Sequence, residues 1–328
     1  MVQNKLNIAL KNIMNSFMKL IHKYNLRSYG IIYAFFLLFT TFSLISPAFL
    51  SLRNLHNIVD QTAEVGIIAC AMTIVIIGGS LDLSVGAIFA VSGSLAAIIA
   101  RMGYPELGFV LAILLGLFLG LVNGLIVEFT GMNAFIATLS TSYAIRGIAL
   151  VLTGGFLIMV QDPIFTIIGQ EYFLSMKYPV YIFSAVAILF GILLHSTKLG
   201  RQVFAIGGNR EASHLSGVRV GRISVFTFCL TGLSAGLAGC ITVSRIAQGQ
   251  SDTGTGLELD AIAATVIGGT SILGGQGAIW RTVLGVLLLR MIANGFNILN
   301  VPPFYQRMIS GLIILFAVTL DIISKRKQ

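Results

Sequence analysis

Nearly uncharged apolar runs of 15 to 22 residues recur along the whole chain, separated by short polar or glycine-rich connectors. That feature constrains the fold most, because about 20 apolar residues are what a helix needs to cross a hydrocarbon core of about 30 Å. Hydropathy and breakers together give ten candidate spans, over residues 30–50, 61–78, 86–100, 107–127, 134–153, 179–195, 223–244, 259–273, 282–298 and 305–323. Only 10% of the residues are charged, against 56% hydrophobic, where a soluble domain carries about 25% charged residues. Too little polar surface remains to cover a water-soluble globule, which excludes a soluble enzyme and a disordered chain. The expected fold class is an all-α membrane protein with about ten transmembrane helices.

The net charge of +9 would suggest nucleic acid in a soluble protein. In a membrane chain it is read as cytoplasmic loop charge, and no nucleic-acid partner is expected. With both termini inside, fourteen cations fall on the cytoplasmic side, four outside (Arg53, Arg101, Lys177, Arg245), and Arg146, Arg290 and Arg307 lie within spans. Residues 1–29 carry five cations and no acid, with Leu6, Leu10, Ile13, Phe17 and Ile21 on one helical face. They are expected to form a basic amphipathic tail on the membrane surface, retained in the mature protein. Residues 30–323 form the transmembrane domain, with a long inner loop at 196–222, and 324–328 a second basic tail. The three cysteines lie in apolar runs and the four histidines are dispersed, so neither a disulfide framework nor a metal site is expected.

Gly116, Gly120 and Gly124 in the fourth span, and Gly232 and Gly236 in the seventh, repeat at the spacing that lets membrane helices approach closely. An internal echo links Ile77-Gly78-Gly79-Ser80…Gly86-Ala87-Ile88-Phe89 with Ile267-Gly268-Gly269-Thr270…Gly277-Ala278-Ile279-Trp280. Glycine-interrupted spans in corresponding halves point to a transporter's central pathway. The two spans have the same orientation in this topology, so the echo does not demonstrate an inverted repeat.

No enzyme constellation is present: HExxH, GxSxG, CxxC and the phosphate-binding GxxxxGK[ST] are all missing from the sequence. Any ATP hydrolysis belongs to another chain. None of the twelve acids is expected near a span's centre, where proton-driven carriers place a titratable carboxylate. Asp60 and Glu64 are assigned to the outer start of the second span and Asp82 to the inner turn after it. The interior polar groups are neutral or cationic, among them Asn123, Thr270, Ser271, Asn294 and Asn297. Amides and hydroxyls of this kind suit bonds between helices or brief exchange with an uncharged, polyhydroxylated solute.

The inner loop carries the most distinctive local signal. Asn209 is placed to cap a short helix running to about Ser216, with Glu211 near its positive end and Gly217 as its stop. Ala212, Leu215 and Val218 give that helix a small apolar face suited to docking a partner.

At this loop the sequence resembles the membrane subunits of ABC importers for ribose and related sugars. The resemblance runs from about residue 45 through Gly78-Gly79-Ser80-Leu81-Asp82-Leu83-Ser84-Val85-Gly86, Asn123-Gly124, Phe135-Ile136-Ala137-Thr138-Leu139 and Gly208-Asn209-Arg210-Glu211-Ala212. It continues through Asp260-Ala261-Ile262-Ala263-Ala264, Gly268-Gly269-Thr270-Ser271, Asn294-Gly295 and Tyr305-Gln306. The chain departs from that pattern at Asn133-Ala134, where the family commonly has prolines, and at Arg281 and Arg290, where it usually has small residues.

The resemblance implies the fold of the vitamin B12-type importer permeases and a place in the bacterial cytoplasmic (inner) membrane. It also implies a second permease subunit, identical or not, a cytoplasmic ATP-binding subunit and a periplasmic or extracellular sugar-binding protein. The expected role is that of a permease for a small neutral sugar such as ribose, with no catalytic residue and no cofactor of its own. Gly208, Asn209, Arg210, Glu211, Ala212, Leu215 and Gly217 are then the residues expected to couple to the ATPase. Asp82, Ser84, Asn123, Thr270, Ser271, Asn294 and Asn297 are the candidate translocation pathway. A self-contained secondary carrier or channel, and a membrane scaffold, are the alternatives.

Overall fold

The structure is a computed structural model, and it describes residues 26–306 together with six positions between 308 and 319. Residues 1–25 of the expected amphipathic tail, the basic tail 324–328 and much of the expected span 305–323 lie outside the described residues.

Helix α1 (Leu26–Ile45) leads through a 3-10 turn at Pro47–Leu50 into α2 (Leu52–Ile77), which Ser51 caps by accepting from the Asn54 amide at 3.3 Å. Next come α3 (Val85–Arg101), α4 (Pro105–Thr130) and α5 (Ala134–Thr153). Asn133 accepts from the Phe135 amide at 2.9 Å to start α5, and Gly154, at φ +61°, ends it. A connecting segment carries strand β1 (Ile158–Met159), the short helix α6 (Pro163–Gln170) and the hairpin of β2 (Tyr172–Phe173) with β3 (Met176–Lys177). Then follow α7 (Tyr178–Ser196), α8 (Lys198–Gly208), α9 (Arg210–Leu215) and α10 (Val220–Ile246). Strand β4 (Gln248–Gly249) pairs antiparallel with β1, and α11 (Leu257–Ile267) and α12 (Ile279–Ile298) complete the regular elements.

Among the described residues, α2, α4, α5, α7, α10 and α12 are long and apolar enough to cross a membrane. The chain is an all-α, multi-pass membrane protein. Its outward surface agrees: Leu114 and Phe118 of α4, Ile148 and Val151 of α5, and Ile188 and Leu189 of α7 are exposed. Such apolar side chains meet lipid without loss, whereas in water they would form an aggregation surface.

Helix α2 is the axis of the bundle. Every residue from Thr62 to Ile77 is buried, as expected of a helix apolar on all sides and packed on all sides. It begins at Leu52 rather than near residue 61, because Asn54, Asp60 and Glu64 lower the local hydropathy while facing protein rather than lipid. Helix α11 stops at Ile267, although the apolar run continues to Leu273. The α4–α10 contact is built on glycine: a Cβ on Gly116 would lie 2.4 Å from the Gly232 carbonyl oxygen, and one on Gly120 2.3 Å from that of Phe228.

The two halves of the sequence echo end their helices in the same way. After α2, Gly79 at φ +83° donates to Ile76 at 2.9 Å and Ser80 donates to Val75 at 3.1 Å. After α11, Gly269 at φ +85° donates to Val266 at 2.8 Å and Thr270 donates to Thr265 at 3.0 Å. A positive φ at that position is what glycine permits and other residues resist. Both turns meet at α8, where the Gly275 amide donates to the Ile77 carbonyl at 2.9 Å beside Gly207.

Candidate functional site

Three polar regions lie along the bundle. The first is a cavity of about 450 Å³ at the end that carries the 154–178 segment and the β1–β4 pair. Asp60, Gln61 and Glu64 of α2, Lys177, Thr242 and Arg245 of α10, and Arg290 of α12 face it. Glu64, at the middle of α2 and 4% exposed, pairs with Arg245 at 3.0 Å. Burying a carboxylate this deeply requires such a partner. Arg290 lies 3.7 Å from Asp260, so this cation inside a helix finds a carboxylate on the neighbouring helix.

The second region gathers Asp82, Ser84 and Asn123, all buried. Ser84 donates through both its amide (3.0 Å) and its hydroxyl (2.5 Å) to Asp82 Oδ1. Thr231, within α10, donates to Asp82 Oδ2 at 2.5 Å, and Asn123 Nδ2 donates to Ser84 Oγ at 2.7 Å. Asp82 is therefore enclosed by α3, α4 and α10 rather than lying at a solvated turn. The expectation that no acid lies near a span's centre thus fails at Glu64, while Asp82 keeps its place in the turn after α2 but is buried there. The turn after α2 folds back into the bundle, and α2 starts earlier than hydropathy suggests.

The other pathway candidates stand apart. Thr270 and Ser271 are buried in the turn after α11, where the Ser271 amide donates to Gln276 at 2.9 Å. Asn294 exchanges amide hydrogen bonds with Asn54 at 2.8 and 3.0 Å, and Asn297 accepts from Gln306 at 2.9 Å. None of the seven candidates lines the 450 Å³ cavity. A sequence signal for that cavity existed: two carboxylates four residues apart in an apolar helix share one face. Among the described residues no group of three His, Cys, Asp or Glu side chains is placed to hold a metal ion.

The third region is α8–α9, at the opposite end of α2 and α10. Asn209 Oδ1 accepts from the Ala212 amide at 2.9 Å, Glu211 lies in the first turn, and Gly217 at φ +81° follows the helix. Arg210 bonds Glu128 of α4 at 2.7 Å, and Ser213 turns inward. Gly208, Ala212 and Leu215 face outward. Beside α9 is a second cavity of about 430 Å³, lined by Lys198, Arg201, Gln202 and Val218.

A protein family described as the permease component of branched-chain amino acid transport systems matches residues 54–318, from α2 through the last described helical positions. The chain belongs to this permease family. The ribose import permease protein RbsC of Bacillus subtilis (strain 168) is 41% identical over 295 residues, covering 87% of this permease and 90% of that protein. RbsC of Escherichia coli (strain K12) is 41% identical over 293 residues, covering 88% and 91%. The L-arabinose ABC transporter permease protein AraH of Azospirillum brasilense is 38% identical over 293 residues, covering 89% and 86%. No solved structure matches the permease. Its match to the family includes all three polar regions.

Proposed function

We propose that this permease is the membrane subunit of an ATP-driven, binding-protein-dependent importer that moves a small neutral sugar, a ribose-like monosaccharide, across the bacterial inner membrane. The observation that carries this reading is similarity across nearly the whole chain to permeases named for ribose and L-arabinose. The exposed, capped α9 supports an ATPase partner, since an outward Leu215 on a helix stapled at Asn209 and Glu128 offers an apolar knob on a fixed base. The cytoplasmic loop 196–222 is then the coupling element, with Gly208, Asn209, Arg210, Glu211, Ala212, Leu215 and Gly217 shaping it. Asp82, Ser84 and Asn123 hold the turn after α2, and Thr270 and Ser271 the turn after α11; both border the pathway. Asn294 and Asn297 tie α12 to its neighbours beside it.

The same reading gives ten spans in the vitamin B12-type arrangement, a basic tail at 1–29, the transmembrane domain at 30–323 and a basic tail at 324–328. It pairs the permease with a second permease subunit, an ATP-binding subunit and an external sugar-binding protein. Both termini and α8–α9 face the cytoplasm, on the strength of the cation asymmetry. Single cysteines at Ser175 and Ser216, both exposed, test that orientation. Position 175 reacts with an impermeant thiol reagent from outside and 216 only after permeabilisation; the reverse pattern overturns it.

Reconstitution in liposomes tests the function. The permease alone takes up no D-ribose, even under an imposed proton gradient, whereas uptake appears with the ATPase, the binding protein and ATP, and vanadate stops it. Gradient-driven uptake by the purified permease alone would replace this reading with that of a secondary carrier.

A further inference from the structure

The cavity of about 430 Å³ beside α9 carries charge of one sign. Lys198, Arg201 and Gln202 of α8 line it together with Ser216, Gly217 and Val218, the link between α9 and α10. Among the described residues no carboxylate lines it. The nearby acids are placed otherwise: Glu128 bonds Arg210 at 2.7 Å, and Glu211 is exposed in the first turn of α9. Among the described residues the ion pairs are those of Arg210, Arg245 and Arg290, so Lys198 and Arg201 have no carboxylate partner there. Both cations also stand at the start of α8, where the positive end of the helix repels them and no acid of the first turn compensates. Two cations gathered on one concave surface in this way are half of an arrangement that an anion completes.

We propose that this cavity holds the phosphate of an anionic phospholipid of the cytoplasmic leaflet. The depth of the two cations argues for lipid. Helix α7 ends at Ser196, and Ile188, Leu189 and Ile192 on it are exposed as lipid-facing side chains are. From Ile192 to the end of α7 is about 6 Å of helix, and the headgroup layer beyond the hydrocarbon core is about 5–7 Å deep. Lys198 and Arg201 therefore emerge at the level of the phosphates, with the exposed Leu199 between them. A soluble partner at that depth would have to displace headgroups, whereas a lipid is already there. The chemistry fits: arginine offers phosphate a two-pronged fork, lysine a point charge, and the Gln202 amide a further donor. A phosphate seated here bridges α8 and the 216–218 link that directly follows Leu215. Anionic lipid thereby helps to hold α9, and membrane composition tunes how firmly the coupling segment is fixed.

This inference rests on the cytoplasmic placement of α8–α9 in the importer reading, and its binding test needs neither sugar nor ATPase. Detergent-purified permease is titrated with phosphatidylglycerol or with phosphatidylcholine, and bound lipid is counted by native mass spectrometry. A permease with Lys198→Gln and Arg201→Gln is compared with one carrying Arg219→Gln and Arg222→Gln. All four side chains are exposed, and the second pair removes the same charge without lining the cavity. Expected is tighter binding of phosphatidylglycerol than of phosphatidylcholine, weakened about thirtyfold by the first pair of substitutions and left near the unsubstituted level by the second. Unchanged binding in the first pair would overturn the proposal, and so would equal weakening in both, which would mean diffuse surface charge. In liposomes of the assembled complex, exchanging phosphatidylglycerol for phosphatidylcholine should lower stimulated ATP hydrolysis for the unsubstituted permease and not for the first pair. A loss of stimulation in the first pair that is as large in phosphatidylcholine as in phosphatidylglycerol, with lipid binding intact, would overturn the proposal in favour of an acidic side chain of the ATPase. Labelling of position 216 from outside would overturn the leaflet together with the orientation. A complex that moves no sugar would overturn the importer reading alone, since lipid binding is measured without transport.

Discussion

Replacing Leu215 by aspartate is expected to stop sugar uptake and the stimulation of ATP hydrolysis by the binding protein, while the permease still folds and inserts. Leu215 is 80% exposed, so its side chain contributes almost nothing to the packing of its own chain. It sits on α9, which is held from below: Arg210 bonds Glu128 at 2.7 Å, Ser213 is buried, and Asn209 closes the first turn. A rigid base and a free apolar tip are what a docking surface requires, because little conformational freedom is lost when the partner closes on it. A central apolar contact at a protein interface is worth about 2 kcal/mol or more, so the ATPase rate stimulated in the complex should fall by about thirtyfold. Ala212→Asp, also outward, should act in the same direction. The measurement is ATP hydrolysis by the assembled complex beside the amount and thermal stability of the permease. Full stimulation in Leu215→Asp would show that the ATPase docks elsewhere.

The elements that the sequence made legible are those whose ends are written in side-chain chemistry. Helix α5 runs over Ala134–Thr153, the range expected, since Asn133 caps it and Gly154 stops it. The same logic places α9 between Asn209 and Gly217. The close approach of α4 and α10 was likewise readable, because glycines four residues apart make one smooth face. Where the reading fell short, hydropathy was measuring transfer into lipid and the residue concerned was meeting protein. Asp60 and Glu64 look like the edge of a span on that scale, yet they lie inside α2, with Arg245 from α10 compensating Glu64. That compensation joins residues 181 positions apart, which no local pattern reveals. The apolar run after Ile262 concealed the opposite error: Gly268 and Gly269 end α11 although Ile272 and Leu273 keep the run hydrophobic. The candidate pathway was drawn from Asp82 and neutral polar groups, and in the structure those groups differ in how far their hydrogen bonds are satisfied. Asn294 is satisfied by Asn54 and Asp82 by Ser84 and Thr231, whereas Thr270 of the same set retains an unpartnered hydroxyl oxygen.

Two adjacent glycines at the end of α8 should respond oppositely to one methyl group. A Cβ on Gly207 would lie 1.7 Å from the Ile77 carbonyl oxygen and 2.5 Å from the Gly275 amide nitrogen. Both obstacles are backbone, and they are the acceptor and donor of the bond that joins the turn after α11 to the end of α2. No rotamer change relieves such a clash. Gly207→Ala must push α8 away from both turns or break that bond, and overpacking of this kind costs about 1–3 kcal/mol or more. Gly208 has nothing within 4 Å of its would-be Cβ and does not have a positive φ. There alanine restricts the unfolded chain without touching the folded one, a gain of about 0.4–1 kcal/mol. Gly207→Ala should therefore lower the yield of folded permease and its melting temperature in detergent, and remove sugar uptake with them. Gly208→Ala should match or exceed the unsubstituted protein on both stability measures. Equal stability of the two variants would mean that α8 is free of the turns, and that motion of the coupling segment reaches the bundle by another contact.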